Sequence, residues 1–221
     1  METSLHRQLK SLYADDPQQV EVRWGDYRID AVARDWLIEI QHGSLAAIRD
    51  KVQDLLRDHR VLVVKPIVAT KQLIKRKRKD GAVVSRRRSP RRGSLLDLFD
   101  ELVYFTRVFP HPNLAVEAVL VDVEEWRYPG HGRRRYRRAS DFQVEDQKLV
   151  EVRQKCRLAE AADLWKLLPR CRLKCPFHTG DLARGLNTNR GIAQRIAYVM
   201  RKTAAVRQVG KRGNALLYSY P

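Results

Sequence analysis

The chain has 221 residues, 43% of them hydrophobic, enough for one large domain or two small ones with a packed core. Forty-four Lys and Arg against 26 Asp and Glu give a net charge of +18, which excludes an ordinary neutral surface and points to a polyanionic partner. No apolar run approaches the ~20 residues of a membrane span, and Cys156, Cys171 and Cys175 give no even disulfide framework.

In chain order, Glu2 to Tyr13 reads as an amphipathic helix with Leu5, Leu9 and Leu12 on one stripe, ended by Asp15, Asp16 and Pro17. Val20 to Trp24 alternates as a strand, Gly25-Asp26 is a turn, and Tyr27 to Ala33 and Trp36 to Gln41 are two more strands. Ser44 caps a helix running to about Arg57, and Val61 to Val64 is a short buried strand. A strand, a helix and a strand in succession imply a parallel crossover, so the sheet is mixed. Gln72 to Lys79 and Ala82 to Arg86, broken at Asp80-Gly81, form a basic hairpin. Lys75, Arg76, Lys77, Arg78, Arg86, Arg87 and Arg88 on it are candidates for a phosphate backbone. Ser94 to Val108 is helical, Leu114 to Val123 is an apolar strand, and Phe142 to Val152 alternates weakly. Between them Tyr128 and Tyr136 lie among the arginines of Arg127 to Arg138, a composition that can stack on nucleotides or form a plain loop.

After Arg157 the character changes. Leu158 to Leu168 is a helix stopped by Pro169, Thr179 caps a short helix over Asp181 to Leu186, and Asn189 caps a third helix to about Lys202, with Ile192, Ile196 and Val199 inward. Ala205 to Val209 and Ala215 to Tyr220 flank a Gly210-Lys-Arg-Gly213 tip. Cys171, Cys175 and His178, with Cys156 as a fourth, could hold zinc, but the spacing is not that of a finger and packing is the preferred reading.

Charge is uneven: residues 1–64 hold more acids than bases, and the basic excess lies in Lys65 to Arg92, Arg127 to Arg138 and beyond Arg170, where Asp181 is the only acid. Within the acidic part, Asp30 closes one strand and Glu39 and Gln41 lie two apart on the next, where side chains share a face. A turn at Ala33 to Asp35 would bring Asp30 to them. Glu39 stands in the apolar strand Trp36 to Ile40, where a carboxylate without a partner is costly. Two carboxylates there make an oxygen site for a hard divalent cation. His42 and His59 flank this region.

The three C-terminal helices and the basic-tipped hairpin resemble a winged helix-turn-helix domain. The resemblance implies that the third helix enters the major groove, with Arg190, Gln194, Arg195, Tyr198, Arg201 and Lys202 toward DNA and Lys211 and Arg212 in the wing. The order helix, three strands, helix, strand over Glu2 to Pro66, with Asp30, Glu39 and Gln41, resembles the PD-(D/E)XK nuclease superfamily, which includes restriction endonucleases and Holliday-junction resolvases. It implies an α/β (α+β) fold, a restriction-endonuclease-like mixed sheet flanked by helices over residues 1–152, with a basic insertion at about 68–92 and the winged helix at 157–221. It further implies magnesium (Mg2+, or Mn2+) on Asp30, Glu39 and the Ile40 carbonyl, with Glu2 as the first-helix glutamate. The chain departs from the pattern at Ile29, which replaces proline, and at Gln41, which replaces a lysine that positions water and offsets charge; Lys51 or Lys10 would then supply a cation. The expected protein is a cytoplasmic, metal-dependent DNA endonuclease, with DNA favoured over RNA, no membrane and a homodimer as relatives suggest. Its rivals are a non-catalytic DNA-binding regulator and an RNA-binding protein using the arginine clusters.

Overall fold

The computed structural model describes residues 2–130, 141–169 and 173–221. Helix α1 (Ser4–Tyr13) starts where the Thr3 side chain accepts the His6 N–H, and it buries Leu5 and Leu9 completely. Leu12 does not join them. It is 52% exposed, and the neighbouring Tyr13 covers the sheet instead, its hydroxyl donating to the buried Glu117. At the other end the Asp146 carboxylate accepts from the Ser4 amide at 2.8 Å and its hydroxyl at 2.6 Å, which pins the helix across the sheet.

Strands β1 (Val20–Trp24), β2 (Tyr27–Ala33) and β3 (Trp36–Ile40) form an antiparallel meander, as the alternation predicts. Gly25, at φ +56°, makes the two-residue turn between Trp24 and Tyr27, a conformation a side chain would resist. The helix expected from Ser44 is split: a 3-10 turn (Leu45–Ile48), capped by Ser44, leads into α2 (Arg49–Leu55). This crossover returns the chain to β4 (Arg60–Arg76), parallel to β3.

β4 is one strand where the sequence suggests two separate ones. Its first five residues pair with β3 and its last five with β5 (Val83–Arg88), while β6 (Leu114–Pro129) runs parallel along its other edge. Pro66 falls in the stretch between β3 and β5, where one edge of β4 has no strand partner and a residue without an N–H is tolerated. β7 (Phe142–Leu158) closes the sheet antiparallel to β6. The order is β1-β2-β3-β4-β6-β7, a large mixed sheet with helices on both faces, so the α/β (α+β) class is correct.

The helix expected over Ser94 to Val108 shortens to a 3-10 turn (Leu95–Asp97) and α3 (Leu98–Leu102), although Leu98, Phe99, Leu102 and Phe105 are all buried as the pattern requires. The helix expected over Leu158 to Leu168 is a 3-10 helix (Ala161–Leu167), whose start is fixed by the Asp163 carboxylate accepting from the Ala159 and Glu160 amides. Helix α4 (Thr179–Gly185) is capped by His178 rather than Thr179, and α5 (Arg190–Lys202) by Asn189. Strands β8 (Arg207–Arg212) and β9 (Ala215–Ser219) form the terminal hairpin.

Two apolar layers hold the sheet. Leu5 and Leu9 of α1 meet Ile38, Ile40, Leu62 and Val64 on one face. On the other, Ile29, Leu37 and Val63 join Phe99 of α3, and the same cluster continues through Phe177, Leu182 and Ile196. The C-terminal helices therefore share a core with the sheet, and β7 runs unbroken through residues 152–157. Among the described residues no helix is long and apolar enough to cross a membrane.

Candidate active site

The ladder between β2 and β3 holds from Ala33↔Trp36 to Ala31↔Ile38 and then stops. Beyond that point the Asp30 side chain takes the place of a backbone acceptor, its Oδ2 receiving the Ile40 N–H at 2.8 Å. The other oxygen turns to α1, with His6 Nε2 at 3.0 Å and Lys10 Nζ at 3.2 Å. Glu39, alternating with Ile38 and Ile40, faces α2, where Lys51 Nζ lies at 2.5 Å and also donates to the Arg28 carbonyl at 2.6 Å. The two carboxylates thus stand on neighbouring strands at the place where those strands part, each steadied by a lysine from a different helix.

Their environments push them in opposite directions. Glu39 is only 5% exposed, and burial raises its pKa, with Lys51 only partly offsetting that and the Asp30 charge adding to it. For Asp30, burial alone would also raise the value, but the His6 bond, the Ile40 amide and Lys10 outweigh it, and the carboxyl is held below its usual range.

Lys10 is nearly buried and gathers three acids: Glu2 at 2.8 Å, Glu21 at 2.7 Å and Asp30. Glu2 therefore lies close to Asp30 through Lys10, although it precedes the Thr3 cap and is not in the helix that the sequence pattern starts at it. Glu21 is not legible in the sequence; it occupies the left-handed region at φ +57°, unusual for a glutamate in a strand and a mark of a constrained site. Glu2, Thr3, His6, Lys10, Glu21 and His42 line an open cleft of about 370 Å³ together with Gln147. The His42 ring lies 5.3 Å from that of His6, and burial first, then the His6 and Lys65 charges, push its pKa down to about 4, so it is neutral at pH 7.

Gln41 follows the end of β3, its amide donating to the Ser44 carbonyl at 2.8 Å, and among the described residues it bonds to neither carboxylate. His59 does not flank the site. It precedes β4 at the opposite end of β3 and accepts the Trp24 indole N–H at 3.0 Å. His178 is occupied in capping α4, Cys175 is exposed, Cys156 is buried in β7, and Cys171 lies outside the described residues, as does Tyr136. Among the described residues no three His, Cys, Asp or Glu side chains gather as a metal-ligand group.

The basic candidates divide. Lys75, Lys77, Arg78, Arg86, Arg87 and Arg88 are exposed on the β4–β5 hairpin, whereas Arg76 is drawn inward by Glu145 at 2.8 Å and the Trp126 ring at 4.4 Å. Arg190, Gln194, Arg195, Tyr198, Arg201 and Lys202 are exposed on α5, and Lys211 and Arg212 at the terminal hairpin. Part of the α5 face looks toward α3, where Gln194, Arg195 and Tyr198 border a groove with Val103 and Arg195 is ion-paired to Asp100.

Residues 3–159 match the family model described as "Domain of unknown function (DUF8091)". The chain belongs to the DUF8091 family. An uncharacterized protein of Treponema pallidum (strain Nichols) is 29% identical to it over 220 residues, covering 98% of this chain and 84% of that one. No solved structure matches the chain. The DUF8091 match opens just before α1 and ends one residue past β7, so it contains both carboxylates, the basic hairpin and the cleft's lining residues other than Glu2.

In this DUF8091 protein the Arg195–Asp100 pair competes with any phosphate for the same guanidinium. If the chain binds duplex DNA, Asp100→Asn is expected to tighten that binding a few-fold and to steepen the slope of log affinity against log salt by up to about 0.9, the value of one added phosphate contact. Anisotropy titrations at several salt concentrations read both quantities; unchanged slope and affinity would mean that Arg195 does not reach DNA.

Proposed function

We propose that this DUF8091 protein is a metal-dependent phosphodiester hydrolase acting on DNA, built on a PD-(D/E)XK-like core with a winged-helix-like docking unit. The observation that carries this is that Asp30 and Glu39 stand on neighbouring strands where those strands part, in a chain of net charge +18. A magnesium site of this kind needs only one or two carboxylates, the substrate phosphate and water completing the shell, so the donor set fits the ion. Asp30, Glu39 and the Ile40 carbonyl would hold it, with Glu2 at the rim. Bound there, magnesium or manganese supplies polarisation of the phosphate and a more acidic water.

The chain's own groups do the rest. Lys51 and Lys10 neutralise the carboxylates in the resting protein, and either would supply the cation that Gln41 does not. The Gln41 amide, fixed through its nitrogen to Ser44, leaves its carbonyl oxygen to orient a water. His6 and the neutral His42 border the cleft as hydrogen-bond partners for a leaving group or water. The exposed hairpin arginines and α5 supply sequence-independent phosphate contacts.

The test is cleavage of duplex, single-stranded and branched DNA and of RNA in magnesium or manganese, beside Asp30→Ala. Metal-dependent DNA cleavage that the substitution abolishes supports the hydrolase. Tight DNA binding without cleavage in either metal would favour the non-catalytic regulator, with Gln41 as the physical reason.

A further inference from the structure

A second cleft, of about 420 Å³, opens between the β4–β5 hairpin and the far ends of β6 and β7, lined among others by Lys75, Ser85, Arg87, Arg127, Tyr128 and Phe142. On β6, Glu125 and Arg127 alternate with Glu124 and Trp126 and so occupy the opposite face from them. Glu125 accepts a hydrogen bond at 2.8 Å from Gln147, which lines the cleft beside Glu2, His6 and Lys10, and it also holds Arg127. Glu125 thereby contacts one lining residue of each cleft.

The chemistry of the second cleft is specific. Among the described residues neither Lys75 nor Arg87 is ion-paired, so two cations are available at its wall. The Arg127 guanidinium lies 3.7 Å from the Phe142 ring centre on one side, and the ring is still 39% exposed. Asp141 also borders the cleft, but its carboxylate is turned against Gly130, where a Cβ would lie 2.6 Å from its Cγ. An aromatic face with free cations beside it binds a base together with its phosphate. The volume suits one small ligand rather than a duplex, and a paired, stacked base could not enter it.

We propose that this cleft holds an unpaired nucleotide of DNA, so that the preferred substrate is a duplex carrying a single-stranded tail, the base stacking on Phe142 and the phosphate lying between Lys75 and Arg87. The proposal rests on the DNA reading above and names its substrate class. Along β4 the eleven steps from Val64, beside the carboxylates, to Lys75 span roughly 36 Å at ~3.3 Å each. At the ~3.4 Å rise of a stacked strand that is a tail of at most about ten nucleotides.

The experiment compares a blunt duplex with the same duplex bearing a tail of about ten thymidines, by anisotropy at fixed salt with metal chelated. The wild-type protein is expected to bind the tailed probe roughly tenfold more tightly, the scale of one stacked base with its contacts. Phe142→Leu should remove that gain and leave blunt-duplex affinity unchanged. Leucine keeps an apolar side chain at the strand end, so the fold is retained; the melting temperature checks it. A tail that adds nothing, or a gain that survives in the variant, overturns the proposal. If the blunt duplex binds and is cleaved while the tail gain is missing, only this assignment falls. If neither probe binds, the DNA reading falls with it.

Discussion

Glu39→Gln is expected to abolish metal-dependent cleavage and, in the metal-free protein at neutral pH, to raise the melting temperature. Loss of a metal ligand forfeits several kcal/mol of transition-state stabilisation, or roughly a thousandfold in rate or more. The gain in stability comes from the same carboxylate. Glu39 is buried and its pKa is raised, so its ionised form is disfavoured in the folded chain. For an acid whose folded pKa lies above its unfolded one, that unfavourable contribution is present above the folded pKa and is gone below the unfolded pKa. The increase, on the order of 2 °C, should therefore fade as pH falls through the carboxylate range. Asp30→Asn should lose cleavage equally but shift stability the other way. The Asp30 pKa is lowered, so its ionised form stabilises the fold above the unfolded pKa, and that contribution is lost as pH falls through the folded pKa. Thermal scans of both variants in chelator at neutral and acid pH, then with magnesium, read these signs. Magnesium should raise the melting temperature of the wild type alone. Cleavage that survives either substitution would remove the metal assignment.

Phe99→Ala should lower stability by about 3–5 kcal/mol, the usual cost of emptying a fully buried phenylalanine site. For a chain of this size that is a fall on the order of 10 °C. Its consequence is global because Phe99 belongs to the cluster shared by the sheet, α3 and the C-terminal helices. Hydrogen exchange should show β6 and α5 losing protection together, in one transition. If α5 keeps its protection while β6 opens, residues 157–221 fold as an independent unit and the shared core does not couple them.

The N-terminal meander and the carboxylates were readable because alternation, Gly25 and the charged residue inside an apolar strand are local signals. The extent of β4 was not. Lys65, Lys71, Lys75 and Arg76 read as solvated, yet Lys65 is buried against the His42 and Gly43 carbonyls and Glu101, Lys71 is bonded to Glu125, and Arg76 stacks on Trp126. Each depends on a partner far away in sequence, which no window of residues contains. The same holds for the site. Asp30, Glu39 and Glu2 follow a motif, whereas Glu21 joins only because Lys10 brings it there, and His42 becomes a neutral neighbour of His6 through packing alone. The Leu95–Asp97 and Ala161–Leu167 segments mislead for a different reason. Their apolar spacing suits an α-helix, but both are 3-10 turns, their starts held by the capping carboxylates of Asp97 and Asp163.

The unbroken course of β4 has a metric consequence. One strand passes beside the carboxylates at Val64 and begins its pairing with the basic β5 at Gln72, with a single register shift at Val68–Thr70 on the way. Eight residues of extended backbone fix that interval at roughly 26 Å, so the strand acts as a ruler. On the proposed hydrolase reading, where the arginines grip a substrate would determine which phosphate reaches the carboxylates, and the cut position would be measured from the grip by the length of β4 rather than read from the bases.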